Sequence, residues 1–126
     1  METDATVPWE QLGGDAVMAP LLRDFYFARI AASTIAPLFP PDLSETLAKQ
    51  LDFQRMYWGG RDDYTPRRGH PRMRARHLPF TIGQAQADVW MECMEAAVAA
   101  SAMPGEVRDA YLARLRQIAQ AMINQR

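Results

Sequence analysis

The 126 residues carry 14 basic and 15 acidic side chains, and a formal net charge of −1 lacks the long-range pull expected of a nucleic-acid binder. Hydrophobic residues make up 48% and charged residues 23%, a globular balance for one domain over 1–126, with no run of the roughly 20 apolar residues that cross a bilayer. A single cysteine, Cys93, excludes an internal disulfide, and its neighbours Trp90, Met91 and Met94 mark it as a small buried hydrophobe suited to a reducing cytoplasm.

The start, METDATVPWEQLGG, has neither a basic nor a long apolar run, so a short flexible N-terminus on a soluble, cytoplasmic protein is expected. Trp9 and Leu12 belong to a short first helix, which Gly13 and Gly14 separate from a longer one. From Asp15 to Ile35, Met18, Leu21, Leu22, Phe25, Tyr26 and Ile30 recur three and four apart, as one buried helical face requires. Pro37, Pro40 and Pro41 break that pattern and place Phe39 on a connection.

Ser44 is placed to cap a helix carrying Thr46, Leu47, Gln50, Phe53 and Tyr57, which Gly59 and Gly60 end. Thr46 and Gln50 share a face as an i, i+4 pair. Residues 60–71 lack apolar periodicity and read as a loop, long for so small a domain, that needs a tether or a function. Two stronger helices follow, near Ile82–Met103 and Pro104–Ile123. The chain is therefore all-α, without a Walker loop, dinucleotide fingerprint, CxxC or HExxH motif.

The most unusual stretch is RRGHPRMRARHLPF at residues 67–80. Its arginines fit a solvated loop, a phosphate or nucleic-acid contact, or the propionates of a haem. Haem also explains the neighbouring apolar residues and His77, whose neutral imidazole can ligate iron through one nitrogen while the other hydrogen-bonds outward. A packed, unligated histidine is the competing reading. Tyr26, Thr46, Gln50 and Trp90 read individually as helix packing; converging, they would offer hydrogen bonds to a polar diatomic ligand. Phe39 fits either a porphyrin face or an inter-helix wedge.

LGG at 12–14, FY at 25–26, LFP at 38–40, WGG at 58–60, RGHPRMRARHLPF at 68–80, and IG followed by DVWMECM at 88–94 together resemble the group II truncated haemoglobins, across nearly all of residues 9–125. The resemblance implies a two-over-two globin fold and haem b as cofactor. It also implies His77 as the proximal iron ligand, Tyr26 as the principal distal donor, and Trp90 as the distal indole. Phe39 matches the aromatic over the haem edge, and Thr46 and Gln50 match the helix positions facing the ligand. Lys49, Tyr64 and Arg76 match haem-edge or propionate contacts, and Phe53 joins the cofactor-contacting set. His70, beside Pro71, has no matching iron-ligand role. The implied activity is reversible binding of O₂, CO or NO at a pentacoordinate iron with a polar distal pocket, in a monomer or homodimer. One alternative is a nitric oxide dioxygenase or peroxidase-type enzyme supplied by an external reductase. Another is a non-haem helical interaction module.

Overall fold

The computed structural model describes residues 7–125, so the expected flexible N-terminus lies outside the described residues. Among the described residues, seven α-helices run in chain order: α1 Trp9–Leu12, α2 Gly14–Arg23, α3 Ser44–Tyr57, α4 Tyr64–Arg68, α5 Met73–His77, α6 Gln84–Ala99 and α7 Gly105–Ala121. A π-helical segment, Asp24–Ile30, extends α2, and a 3₁₀ turn spans Ala36–Leu38. The described residues contain no strand.

Two helix pairs build the molecule. α2 packs on α3, α6 packs on α7, and the π segment lies against α6, joining the pairs. One apolar cluster runs through both, with Leu12, Met18, Leu22, Phe25, Ile30, Met94, Ala97 and Tyr111 fully buried. Burying a large apolar side chain contributes about 1.5–3 kcal/mol, so this shared interior holds the four long segments together.

The α1–α2 corner depends on Gly13, whose φ is +111° and whose missing Cβ would strike the Val17 side chain. Only glycine occupies that geometry without strain. The corner is tied down by the Trp9 amide, which donates to the Trp58 carbonyl at 2.7 Å, just beyond α3.

Three boundaries differ from the sequence expectation, as does the burial of Cys93. The helix expected over Asp15–Ile35 loses α geometry at Asp24 and ends at Ile30. Ser33 accounts for part of this: its hydroxyl donates to the Ile30 carbonyl and accepts from the Ile35 amide, a local alternative to continued helix. Ser44 does not cap α3; it is the first helical residue, and the Asp42 carboxylate accepts its amide at 2.9 Å. The connection over 60–71 contains α4, started by the Asp62 carboxylate accepting the Thr65 amide. Pro66 is tolerated there because first-turn amides have no intrahelical acceptor. Cys93 is half-buried, with its thiol pKa raised by burial and by Glu92.

Candidate functional site

Between the two helix pairs lies a cavity of about 220 Å³. Its wall is mostly apolar, built by Ile35, Leu38, Met73, Ile82, Ile118 and Met122 among others, with Phe80 at 44% exposure on its rim. Five lining residues bring polar side-chain atoms: Tyr26, Gln50, His77, Gln86 and Trp90.

His77 ends the short helix α5. Its Nδ1 lies 2.6 Å from the Met73 carbonyl oxygen. A carbonyl can only accept, so Nδ1 carries a proton, and in the neutral imidazole it is Nε2 that keeps its lone pair. An imidazole oriented through one nitrogen, with the other unprotonated, has the form of a metal ligand.

The segment after His77 is held from the far end of the chain. Asn124 Nδ2 donates to the His77 carbonyl at 3.2 Å and to the Phe80 carbonyl at 2.8 Å, while its Oδ1 accepts the Ile82 amide at 3.0 Å. Arg74 donates to the carbonyls of Ala121 and Ile123, where α7 runs out. A cation at a helix C-terminus satisfies orphan carbonyls and complements the helix dipole. The position of α5 is thus set by the α7 terminus as well as by local turns.

Tyr26 stands on the π segment, where the Ala31 amide reaches its carbonyl across five residues. The wider turn is a feature often found where helices carry functional side chains. The Tyr26 ring meets Phe25 edge-on at 4.7 Å and Phe39 at 6.0 Å, and Phe25 meets Trp90 at 5.3 Å. Edge-to-face aromatic packing of this kind fixes ring planes as well as filling space. Burial pushes the Tyr26 phenol pKa up to about 12, partly offset by the hydrogen bond from Gln50. At neutral pH Tyr26 is therefore a neutral hydroxyl. Gln50 Nε2 donates to its oxygen at 3.0 Å, so the Tyr26 proton remains available to a second acceptor.

Behind Gln50 the polar side chains continue. Gln54 Nε2 lies 3.4 Å from Gln50 Oε1, and the Tyr111 hydroxyl donates to Gln54 Oε1 at 2.5 Å. Gln54 and Tyr111 escape a sequence reading because each occupies a helix face that also suits simple packing.

The structure brings Tyr26, Phe39, Gln50, His77 and Trp90 to one cavity. Thr46, Lys49, Phe53, Tyr64 and Arg76 are not part of its wall. Phe53 packs against Tyr57 and Tyr64, at 5.6 and 5.8 Å between ring centroids. Arg76 donates to the Tyr64 hydroxyl at 3.0 Å and to the carbonyls of Arg68 and His70. Thr46 is half-buried and Lys49 exposed on α3. His70 is exposed, its Nδ1 accepting the Arg72 amide, a structural role.

Several arginines of the basic stretch face protein rather than solvent anions. Asp52, 5% exposed, accepts from Arg55, Arg67 and Arg68, and Arg68 also reaches Glu45. Arg55 makes a bidentate pair with Asp15, at 3.0 Å to each oxygen. Burial raises the Asp52 carboxyl pKa, but hydrogen bonds and charge from Arg67 and Arg68 outweigh it and hold the group below its ordinary value. This network fastens α4 to α3.

These helices also define a place among known proteins. The chain matches the bacterial-like globin family over residues 8–124. It is 40% identical over 118 residues to the group 2 truncated hemoglobin of Bacillus subtilis (strain 168), covering 94% of this chain and 89% of that protein. The group II truncated hemoglobin of Bacillus anthracis superposes with a TM-score of 0.89 at 38% identity, covering 98% of this chain and 95% of that one. The truncated oxygen-avid haemoglobin of B. subtilis superposes with a TM-score of 0.88 at 40% identity, covering 94% and 99%. The chain belongs to the bacterial-like globins and, among them, to the group II truncated haemoglobins, with their two-over-two helical fold. Membership of that family implies haem binding and small gaseous ligands. No helix among the described residues is long and apolar enough to cross a membrane.

Proposed function

We propose that this protein holds haem b in the cavity, where His77 would ligate the iron and Tyr26 would be the principal hydrogen-bond donor to O₂, CO or NO. The observation that carries this reading is the His77 ring: its Nδ1 proton is committed to Met73, and Nε2 is free to act as a ligand. The residues present fit the group, since apolar side chains from five different segments offer its faces van der Waals contact and the histidine supplies a nitrogen donor. Bound haem supplies a ferrous centre that takes up diatomic gases reversibly.

The chain's own side chains do the rest. Met73 orients His77 through Nδ1, and Phe39 and Leu38 provide apolar contact. Tyr26 donates its proton to a ligand of partial negative charge, Gln50 steadies the Tyr26 oxygen, and Trp90 closes the wall with an indole that has no hydrogen-bond partner among the described residues. Excluding water strengthens that donor's effect. Thr46 and Phe53 are assigned to the cofactor surroundings from α3, and Lys49, Tyr64 and Arg76 to the carboxylate edge. Arg76 and Tyr64 are already joined, so they would meet that edge as a pair.

Reversible ligand binding is preferred over peroxide turnover because the described cavity wall contains no carboxylate and no second imidazole to move protons during O–O cleavage, and over nitric oxide turnover because that would need electrons from an external reductase. We assign the protein to the cytoplasm as one globin domain over residues 1–126. Replacement of His77 by Gly tests the axial assignment. Hemin affinity and the ferrous spectrum should be lost and then restored by added imidazole; a His77→Gly protein with unchanged spectrum and affinity would contradict it.

A further inference from the structure

Behind the cavity, four side chains form a chain of hydrogen bonds, and we infer that Tyr111, a core residue outside the cavity, sets its direction so that Tyr26 presents its proton to the ligand. This inference deepens the haem reading and rests on it. The links are Tyr111 hydroxyl to Gln54 Oε1 at 2.5 Å, Gln54 Nε2 to Gln50 Oε1 at 3.4 Å, and Gln50 Nε2 to the Tyr26 hydroxyl oxygen at 3.0 Å.

An amide has a donor end and an acceptor end, so such a chain has only two continuous polarities. In the observed one, Tyr111 donates, each amide passes the direction on, and Tyr26 accepts. Its own proton is then left for the cavity. In the reverse one, both amides turn over, Tyr26 donates to Gln50, and Gln54 donates to Tyr111. The proton without an acceptor would then be that of Tyr111.

The two ends are not equivalent. Tyr111 is 0% exposed and has no other hydrogen-bond partner among the described residues, whereas Tyr26 lines a cavity in which a ligand or water can accept. A buried donor without an acceptor carries a full desolvation penalty, so the reverse polarity is disfavoured at its Tyr111 end. Burial pushes the Tyr111 pKa up, keeping the hydroxyl proton in place. Tyr111 and Gln54 are positioning residues: they touch no ligand and act through Gln50 on Tyr26. The long Gln54–Gln50 link is where the chain is most easily broken.

The test compares the hemin-loaded wild type with Tyr26→Phe, Tyr111→Phe, Gln54→Leu and the Tyr26→Phe/Tyr111→Phe double variant. Infrared C–O stretching in the ferrous carbonyl form and stopped-flow O₂ dissociation are the readouts. Tyr111→Phe and Gln54→Leu should each raise the C–O frequency toward that of Tyr26→Phe and accelerate O₂ dissociation by roughly three- to tenfold, the scale of one hydrogen bond. Neither value should change further when Tyr111→Phe is added to Tyr26→Phe, since the effect passes through that hydroxyl. In the wild-type carbonyl form, proton NMR should show the Tyr111 hydroxyl as a slowly exchanging resonance. Gln54→Leu keeps Tyr111 itself, so it decides the matter if Tyr111→Phe fails to fold. Unmoved frequencies and rates in a normally loaded protein, or an equal shift on the Tyr26→Phe background, overturn the relay alone. A wild type that takes up no hemin overturns the haem reading and this role together.

Discussion

At the scale of single residues, the site turns on where two protons sit. His77 directs its Nδ1 proton to the Met73 carbonyl, leaving Nε2 as the atom proposed to ligate iron, and the Tyr26 proton stays available to the cavity because Gln50 donates to the Tyr26 oxygen. Removing the Tyr26 hydroxyl with Phe leaves the aromatic packing against Phe25 and Phe39 but deletes the donor. O₂ dissociation measured by stopped flow is expected to accelerate by about threefold or more, the equivalent of a hydrogen bond of about 0.5–1.5 kcal/mol; an unchanged rate would contradict the distal role. Of the residues named from sequence, His77, Tyr26, Phe39, Gln50 and Trp90 reach the cavity wall, whereas Thr46, which shares the i, i+4 face of Gln50, does not. Lys49, Tyr64 and Arg76 were legible only through resemblance. The Gln54–Tyr111 contact spans 57 positions, and no periodicity in the chain announces it.

Among the elements, the short helix α5 depends on its surroundings. Five residues cannot sustain a helix alone, because nucleation costs more than so few hydrogen bonds return. Asn124 and Arg74 supply the missing support by joining α5 and the Phe80–Ile82 turn to the α7 terminus. Asn124→Ala should lower stability by about 1–2 kcal/mol in urea titration, as expected for hydrogen bonds lost at a partly exposed site. It should also speed hemin transfer to an acceptor protein by about tenfold, the effect typical of losing support behind a metal ligand. Unaltered transfer would leave Asn124 a structural latch only. Gly13→Ala, at φ +111° and against Val17, should destabilise the α1–α2 corner by about 1 kcal/mol or more, measurable by thermal melting. The long helices were legible because their buried faces repeat at helical spacing. The end of the π segment, the Asp42 start of α3 and the existence of α4 were not, because short polar side chains on the backbone decide them.

For the whole molecule, two helix pairs share one core and leave a cavity between them, while an acid–arginine network holds α4 against α3 at one side. That network makes stability pH-dependent with a definite sign. Asp52 has a depressed pKa in the folded state, so below its ordinary value the unfolded chain binds more protons than the folded one. Its contribution is therefore present above the unfolded pKa of about 3.9 and is lost as pH falls through the lower folded value. Denaturant midpoints should fall across that acidic window and flatten in Asp52→Ala. At neutral pH the same variant should lose about 3 kcal/mol, since it leaves Arg55 and Arg68 largely buried without this partner. A pH profile of Asp52→Ala parallel to that of the wild type would contradict the assignment.

The cavity between the helix pairs is proposed as a haem site with His77 at the iron, and one spectrum tests that assignment most directly. Purified protein titrated with stoichiometric hemin should develop a saturable Soret band. Reduction with dithionite should give a five-coordinate ferrous spectrum that shifts on exposure to CO and to O₂. A featureless titration, or a hemin spectrum that neither saturates nor responds to CO, would contradict the account.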